Sequence, residues 1–394
     1  MTKQSSLDLA RVDAALQRWV DEERLPGVSY AVLRGGDVAA TRCIGWADRE
    51  ARVPLREDHL FRIFSNTKLV TSIAALQLME QGRLHADDPV GDYIPALAKL
   101  QVLRPGATSL DDVEPAREPV RVRHLLTHTA GFTYAFLQPD TPLGQAYVAS
   151  GAGDPHRSLA QMCEALATLP LLFQPGSSWN YSMATDVAGR LVEIVGGQPL
   201  DATFRQHIFD PLGMRDTSFF VTPEKAARLA TMYIGSLREP ARPGLHRADK
   251  HPYEGAYLAP VARLNAGGGL VSSLGDYTAL VRALLQGGAP LLQPASMPLV
   301  LRNQLPPGQW IGGHGLPAVE GRGHSFAGSV TVQPSASDPS SAVDDVQWGG
   351  LAATKWFFSP REQVGAVLMT QRYMGSDLPF WPEFKLLLRQ ALAR

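Results

Sequence analysis

The sequence has few cysteines, almost no excess of charge and no long apolar run. Its 394 residues include two cysteines, Cys43 and Cys163, neither of them in a C-x-x-C pattern. This excludes a disulfide scaffold, argues against a thiolate metal site and is typical of a reducing compartment. The 37 basic and 38 acidic residues nearly cancel, and none of the basic residues form a block. We therefore expect no nucleic-acid partner.

The apolar stretches are too short for a membrane span. The longest, residues 69–79, is interrupted by Thr71, Ser72 and Gln77, whereas a spanning helix needs about 18 apolar residues or more. The N-terminus lacks the apolar core of a secretory signal, so we expect no membrane association and a cytoplasmic location. A composition of 45% hydrophobic and 19% charged residues is that of a globular chain with a sizeable core.

Strand patterns lie near both ends of the chain, and helical patterns fill the middle. An amphipathic pattern over residues 7–24 precedes two β-rich runs around the Gly35-Gly36 turn. Further β-rich runs at residues 346–358 and 363–371 precede a closing helical pattern. This arrangement predicts an α+β fold, an antiparallel sheet flanked by helices, and disfavours alternating βαβ units.

The same patterns predict two domains. Residues 1–80 and 285–394 would form a discontinuous sheet domain, and residues 81–284 a mostly helical domain inserted into it. We expect the active site in the groove between them.

Ser65 and Lys68 form the only S-x-x-K motif in the chain. This spacing places both side chains on one face of the predicted helix that Ser65 opens. A lysine in a desolvated site can accept the serine proton, and a helix N-terminus offers N–H groups to a developing oxyanion. Serine is also a favoured helix-start residue, so the motif alone has a structural explanation.

Two further segments strengthen the catalytic interpretation. Tyr181 stands where a turn-rich segment meets the predicted helix at residues 184–195, and it could act as a base or relay beside Lys68. The segment from Trp348 to Leu351 places paired glycines in a β-rich run, which suits close approach of a substrate. The N–H groups of Ser65 and Leu351 would then form an oxyanion hole. The structural alternatives are that Tyr181 only packs in the core and that the paired glycines form a β-bulge.

The order of these motifs resembles the serine β-lactamase and penicillin-recognising fold. The segments that match in style are residues 61–68 (FRIFSNTK), 123–131 (RHLLTHTAG), 175–176 (PG), 181–182 (YS) and 209–214 (FDPLGM). Within that fold the chain looks most like the family VIII carboxylesterases, relatives of class C β-lactamases. The resemblance implies an acyl-enzyme on Ser65 with protons managed by Lys68 and Tyr181, and it leaves open which of the two is the base.

The sequence departs from class C β-lactamases at two motifs. Their tyrosine-x-asparagine is Tyr181-Ser182-Met183 here, and their lysine-threonine-glycine is Trp348-Gly349-Gly350. An apolar wall in place of the lysine that binds the β-lactam carboxylate favours small neutral esters, and we expect no cofactor. The expected substrate-binding residues are Trp348, Gly349, Gly350, Phe132, Tyr134 and Met183.

Other functions of the same fold stay open. A β-lactamase, a D-alanyl peptidase, an amide hydrolase or an acyltransferase would share the nucleophile, and a non-catalytic scaffold would keep the fold alone.

Three other motifs are weaker. His324-Ser325 resembles a nucleophile elbow, but no histidine follows Ser325, as an α/β-hydrolase requires. His124 and His128 have zinc-helix spacing without the adjacent glutamate, so we expect no metal site. The glycines at 267–269 lack the Lys-Ser or Lys-Thr of a phosphate loop and are interpreted as a tight backbone passage near the site.

Overall fold

The computed structural model describes residues 7–239, 242–314, 316–335 and 338–393. The strands are β1 Gly27–Arg34, β2 Asp37–Asp48, β3 Val53–Pro54, β4 Leu60–Arg62, β5 Gln101–Leu103, β6 Val113–Pro115, β7 Tyr233–Ile234, β8 His246–Arg247, β9 Val271–Ser273, β10 Arg322–His324, β11 Ser329–Thr331, β12 Val346–Gly349, β13 Lys355–Ser359, β14 Val364–Met369 and β15 Arg372–Tyr373. The α-helices are α1 Ala10–Asp21, α2 Thr67–Glu80, α3 Val122–Leu126, α4 Pro142–Ala149, α5 Leu159–Ala167, α6 Ala184–Gly196, α7 Leu200–Phe204, α8 Asp210–Leu212, α9 Leu274–Leu285, α10 Met297–Leu301 and α11 Phe380–Leu392.

The main sheet joins strands from both ends of the chain. Its eight strands run in the order β10-β11-β12-β13-β14-β1-β2-β3, and each neighbouring pair is antiparallel. β1 lies against β14, with Ser29 opposite Met369 and Arg34 opposite Val364. The N-terminal and C-terminal segments therefore fold as one unit.

Helices cover both faces of this sheet, which explains why β1 is buried along nearly its whole length. Alternate side chains of a strand point to opposite faces. Tyr30 and Val32 pack with residues of α1 and α11, whereas Ala31 and Leu33 join the larger core that contains α2 and α9.

The helical part is built around α2 and α6. α2 is buried on nearly every side and contacts α6, which in turn contacts α3, α5 and α7. An apolar helix without a polar face needs such complete coverage. α2 and α6 thus form the centre of the helical part.

The α+β fold with an antiparallel sheet flanked by helices is confirmed. Within it, the predicted β-rich run 346–358 contains a turn, since β12 ends at Gly349 and β13 begins at Lys355. Helix α9 packs on β1 and β14, although the expected boundary assigned it to the helical domain. The division into two domains otherwise stays a prediction.

Among the described residues, none of the helices combines the length and apolarity needed to cross a membrane. Residues 1–6, on which the expectation about a secretory signal partly rests, lie outside the described residues.

Candidate active site

Ser65 lies in a short turn between a strand and a helix. β4 ends at Arg62, the 3-10 turn Phe64–Asn66 follows, and α2 begins at Thr67. Ser65 therefore lies two residues before the start of α2, in the 3-10 turn that leads into the helix, and not in the α-helix itself as expected. Phe64 has a φ of 43°, a left-handed conformation that costs a bulky residue about 1–3 kcal/mol. Strain of this kind persists only where the surroundings enforce it.

Contacts from distant segments hold the turn in place. The Ile63 N–H donates to the Leu270 carbonyl at 3.0 Å, and the Tyr277 hydroxyl donates to the Asn66 carbonyl at 2.9 Å. The Asn66 side chain donates to Thr354 Oγ1 at 3.0 Å. The turn is thus fixed by the residue before β9, by α9 and by the turn between β12 and β13.

Tyr181 and Lys68 both reach the Ser65 hydroxyl. Tyr181 Oη lies 2.6 Å from Ser65 Oγ, and Lys68 Nζ lies 3.4 Å from it. Lys68 Nζ also lies 4.6 Å from the centroid of the Tyr181 ring, a distance at which an ammonium is attracted to an aromatic face. The structure therefore brings the three expected catalytic residues together, with Ser65 and Tyr181 half-buried and Lys68 buried.

Lys68 has two further oxygen neighbours. Its Nζ donates to the Gly267 carbonyl at 2.7 Å and to Tyr134 Oη at 3.1 Å. Tyr134, expected to bind substrate, thus contacts the lysine directly. Burial raises the pKa of Tyr134 well above its ordinary value, so its hydroxyl stays neutral at physiological pH.

The segment after β12 packs against the Ser65 turn. A Cβ atom on Gly350 would lie 2.2 Å from the Ile63 carbonyl oxygen, so only glycine fits there. Leu351 packs beside Phe64 and Ala352. The N–H groups of Ser65 and Leu351 have no hydrogen-bond partner among the described residues. Both remain free to meet a ligand.

Aromatic rings form a wall on one side of Tyr181. Trp348 lies 5.6 Å from the Tyr181 ring and 5.3 Å from the His324 ring, between ring centroids. His128 lies 4.9 Å from the Tyr181 ring, and Trp179 6.3 Å from it. The wall is apolar except for its two imidazoles.

Both imidazoles are neutral at physiological pH. Burial lowers the pKa of His324 to about 4, and the nearby Lys68 adds to the effect. Burial likewise lowers the pKa of His128 well below its ordinary value. The wall therefore adds no positive charge beside Lys68.

Two of the expected substrate-binding residues lie in the core instead. Phe132 is 1% exposed and Met183 is 5% exposed, and both belong to the main hydrophobic cluster. Phe132 follows the turn at Gly131, and Met183 precedes the first residue of α6. These positions give them packing contacts and almost no exposed surface. Gly349 lies in β12 opposite Lys355.

The weaker motifs occupy different positions. Ser325 is buried, and its hydroxyl accepts from the Ala327 and Gly328 N–H groups in the turn between β10 and β11. His124 accepts from the Arg121 N–H at the start of α3. Gly267 does lie beside the site, through its carbonyl contact with Lys68.

Among the described residues, no three His, Cys, Asp or Glu side chains are grouped as metal ligands.

Sequence reasoning missed three residues of the site. The sequence patterns assign His128 and His324 only to other motifs, and they assign no role to Asp186, which lies near Lys68 at Gly267. Asp186 stands five positions after Tyr181 on the apolar helix α6. Helical spacing aligns Asp186 with Arg190 and Glu193, at i+4 and i+7, so no local pattern indicates its burial.

Comparisons with known proteins agree with this geometry. The family model described as Beta-lactamase matches residues 12–388. Esterase EstB of Burkholderia gladioli is 32% identical over 385 residues, covering 94% of this chain and 92% of its own.

Two solved structures are similar over nearly the whole chain. EstCE1, described as a hydrolase with promiscuous acyltransferase activity, has a TM-score of 0.80 and 29% identity and covers 96% of this chain and 97% of its own. A LovD6 mutant of simvastatin synthase from Aspergillus terreus has a TM-score of 0.80 and 26% identity, with 100% and 98% covered. The chain therefore belongs to the β-lactamase family and is a serine hydrolase of that fold.

Proposed function

We propose that the protein is a carboxylesterase that hydrolyses small neutral esters through an acyl-enzyme on Ser65. The observation that carries the proposal is the distance of 2.6 Å between Tyr181 Oη and Ser65 Oγ, with Lys68 Nζ beside both. A hydrogen-bonded nucleophile and base, oriented by a third group, is the arrangement that acyl transfer requires.

The reaction proceeds in two halves. Ser65 Oγ attacks the ester carbonyl as its proton passes to the Tyr181–Lys68 pair, and the N–H groups of Ser65 and Leu351 stabilise the resulting oxyanion. The pair returns the proton to the alkoxide, which leaves as the alcohol. Water then attacks the acyl-enzyme by the same route and releases the acid.

The preference for neutral substrates rests on Trp348. It stands where class C β-lactamases carry the lysine of their strand motif, and its ring lies against Tyr181. Lys355, opposite Gly349 on the neighbouring strand, donates to the Ser376 carbonyl. A substrate carboxylate at β12 would thus meet an indole ring instead of a cation, which disfavours anionic β-lactams.

The similarity to Esterase EstB supports the ester substrate. Acyl transfer to an alcohol is the second candidate, because EstCE1 is described as having promiscuous acyltransferase activity and simvastatin synthase is a second structural neighbour. An alcohol acceptor would replace water in the second half of the reaction.

The proposal is tested with p-nitrophenyl acetate, butyrate and octanoate beside the β-lactam nitrocefin. We expect ester turnover to exceed nitrocefin turnover by about a hundredfold or more, because Trp348 stands where a cation would bind the β-lactam carboxylate. Nitrocefin turnover rivalling the esters would contradict the neutral-ester preference. Adding a primary alcohol separates the second candidate, since transfer yields a new ester and hydrolysis yields only acid.

A further inference from the structure

Asp186 is a buried carboxylate directly beneath the catalytic lysine. It lies in the first turn of α6, five residues after Tyr181, and is 1% exposed. Its Oδ1 accepts from the Gly267 N–H at 3.2 Å, while the Gly267 carbonyl accepts from Lys68 Nζ at 2.7 Å. Gly267 therefore links the carboxylate to the lysine through its own two backbone groups.

The absence of a side chain at residue 267 lets these groups converge. A Cβ atom there would lie 2.7 Å from Asp186 Oδ2, 3.3 Å from Lys68 Nζ and 3.3 Å from Tyr134 Oη. The carboxylate, the amine and the phenol thus surround one Cα atom, with Asp186 and Lys68 both buried. Charges interact strongly in such surroundings.

The surroundings of Lys68 suit an ammonium. Three oxygens lie near its Nζ, those of Gly267, Tyr134 and Ser65, at 2.7, 3.1 and 3.4 Å. The Gly267 carbonyl can only accept, and an ammonium has three hydrogens to donate. A buried ammonium requires a nearby negative charge to offset its desolvation.

Asp186 is placed to supply that charge. Burial raises the pKa of Asp186, whereas Arg263, Lys68 and the N–H groups of Gly267 and Ala266 lower it. The charged and titratable groups that face the Asp186–Lys68 pair are Arg263, Tyr134, Tyr181, Cys163, His128 and His324.

Arg263 is a second buried cation near Asp186, and it lowers the pKa of that carboxyl more than Lys68 does. Its own hydrogen bonds go to the carbonyl oxygens of Ala152 and Gly153.

We propose that Asp186 is a positioning residue whose carboxylate holds Lys68 in its ammonium form, aimed at Ser65 and Tyr181. The inference rests on the proposed acyl-enzyme at Ser65 and deepens it. An ammonium has no lone pair, so Lys68 stabilises the Tyr181 oxygen as a phenolate once that phenol has released its proton to solvent water. The Tyr181 oxygen then takes the proton of Ser65 Oγ and returns it to the leaving alkoxide. Asp186 itself touches neither the substrate nor the reacting atoms.

The test is the rate of Ser65 labelling by a fluorophosphonate from about pH 4.5 to about pH 9, in the wild type and in Asp186→Asn. The asparagine keeps the shape and the acceptor for the Gly267 N–H, and it mimics a protonated Asp186. We expect the ratio of wild-type to variant rates to be near one at the acid end and to rise with pH to about tenfold or more.

A purely structural role would give a different result. Loss of packing alone lowers the variant rate by a factor that does not change with pH, so a constant ratio would overturn the inference. Asp345→Asn is the matched control, because Asp345 is also buried and is paired with Arg389 at 2.6 Å, outside the site. We expect that control to keep the wild-type pH profile.

Two further readouts complete the design. Asp186→Ser, with a smaller side chain that still accepts a hydrogen bond, serves as the second variant and should give the same pH-dependent ratio. In the wild type, Ser65 labelling must slow as the pH falls. A labelling rate that stays the same between about pH 8 and about pH 4 would also overturn the inference. If the wild type were not labelled at all, the proposed function would fail instead.

Discussion

At the scale of single residues, His128 and His324 belong to the aromatic wall of the candidate active site, and their burial lowers the stability of the fold in acid. His128 and His324 are buried, and their ring centroids lie 5.4 Å apart. The Nδ1 of His324 lies against the Ser325 carbonyl, so that nitrogen carries the hydrogen. Protonation of either ring would add a buried positive charge near Lys68, which both pKa values oppose.

This burial makes stability depend on pH. The pKa of His324 is lowered to about 4 in the folded protein, whereas an unfolded chain has a histidine pKa of about 6.5. The unfolded state therefore binds more protons between these values, and acidification from about pH 6.5 to about pH 4 lowers the free energy of unfolding. The loss from this one residue is at most about 3 kcal/mol.

The variant His324→Asn should remove that dependence. We expect urea unfolding at neutral and acidic pH to show a smaller loss of stability in this variant than in the wild type, while His246→Asn, at an exposed position on β8, matches the wild type. Equal losses in all three proteins would show that His324 is not the cause.

The sequence predicts the residues whose chemistry depends on local spacing. Ser65 and Lys68 are three positions apart, and the position of Tyr181 before α6 is visible in the turn-rich approach to that helix. Asp186 lies near Lys68, 118 positions away, and His324 contacts Trp179, 145 positions away, and no local pattern encodes such proximity. Phe132 and Met183 were expected to bind substrate because they are close in sequence to the motifs. Their side chains are buried in the core, since closeness in sequence does not give a side chain access to the groove.

At the scale of elements, the turn between β12 and β13 controls the Ser65 turn. Gly350 lies against the Ile63 carbonyl, and the Thr354 hydroxyl donates to the same carbonyl at 3.3 Å. Two glycines and a positive φ of 66° at Ala353 allow the chain to reverse there. The sequence pattern predicts a continuous run here because Val346 and Trp348 before the turn, and residues 356–358 after it, favour strands.

The substitution Gly350→Ala should push the turn between β12 and β13 away from the turn that carries Ser65. The new Cβ would lie 2.2 Å from a backbone oxygen, which cannot swing aside. We expect ester turnover to fall about tenfold or more and stability to fall by about 1–3 kcal/mol, measured by initial rates and by urea unfolding.

The neighbouring glycine provides the control for this variant. In Gly349→Ala the new atom would meet the flexible end of the Lys355 side chain, so we expect a small effect on both measurements. Equal effects of the two substitutions would contradict the role assigned to Gly350.

At the scale of the whole molecule, the sheet brings together segments more than 300 residues apart. β1 pairs with β14, and the β12–β13 turn then reaches the turn that carries Ser65. The sequence predicts the α+β class from hairpin patterns near both termini. It does not predict the order of strands or the packing of α9 on the sheet, since both depend on contacts between distant segments.

The central claim is that Ser65 is the nucleophile that carries the acyl group. The most direct measurement is mass spectrometry of peptides from fluorophosphonate-labelled protein, for the wild type and for Ser65→Ala and Ser325→Ala. We expect one adduct on the peptide that contains Ser65, lost with ester turnover in Ser65→Ala and retained in Ser325→Ala. An adduct on another residue, or full turnover by Ser65→Ala, would contradict the claim.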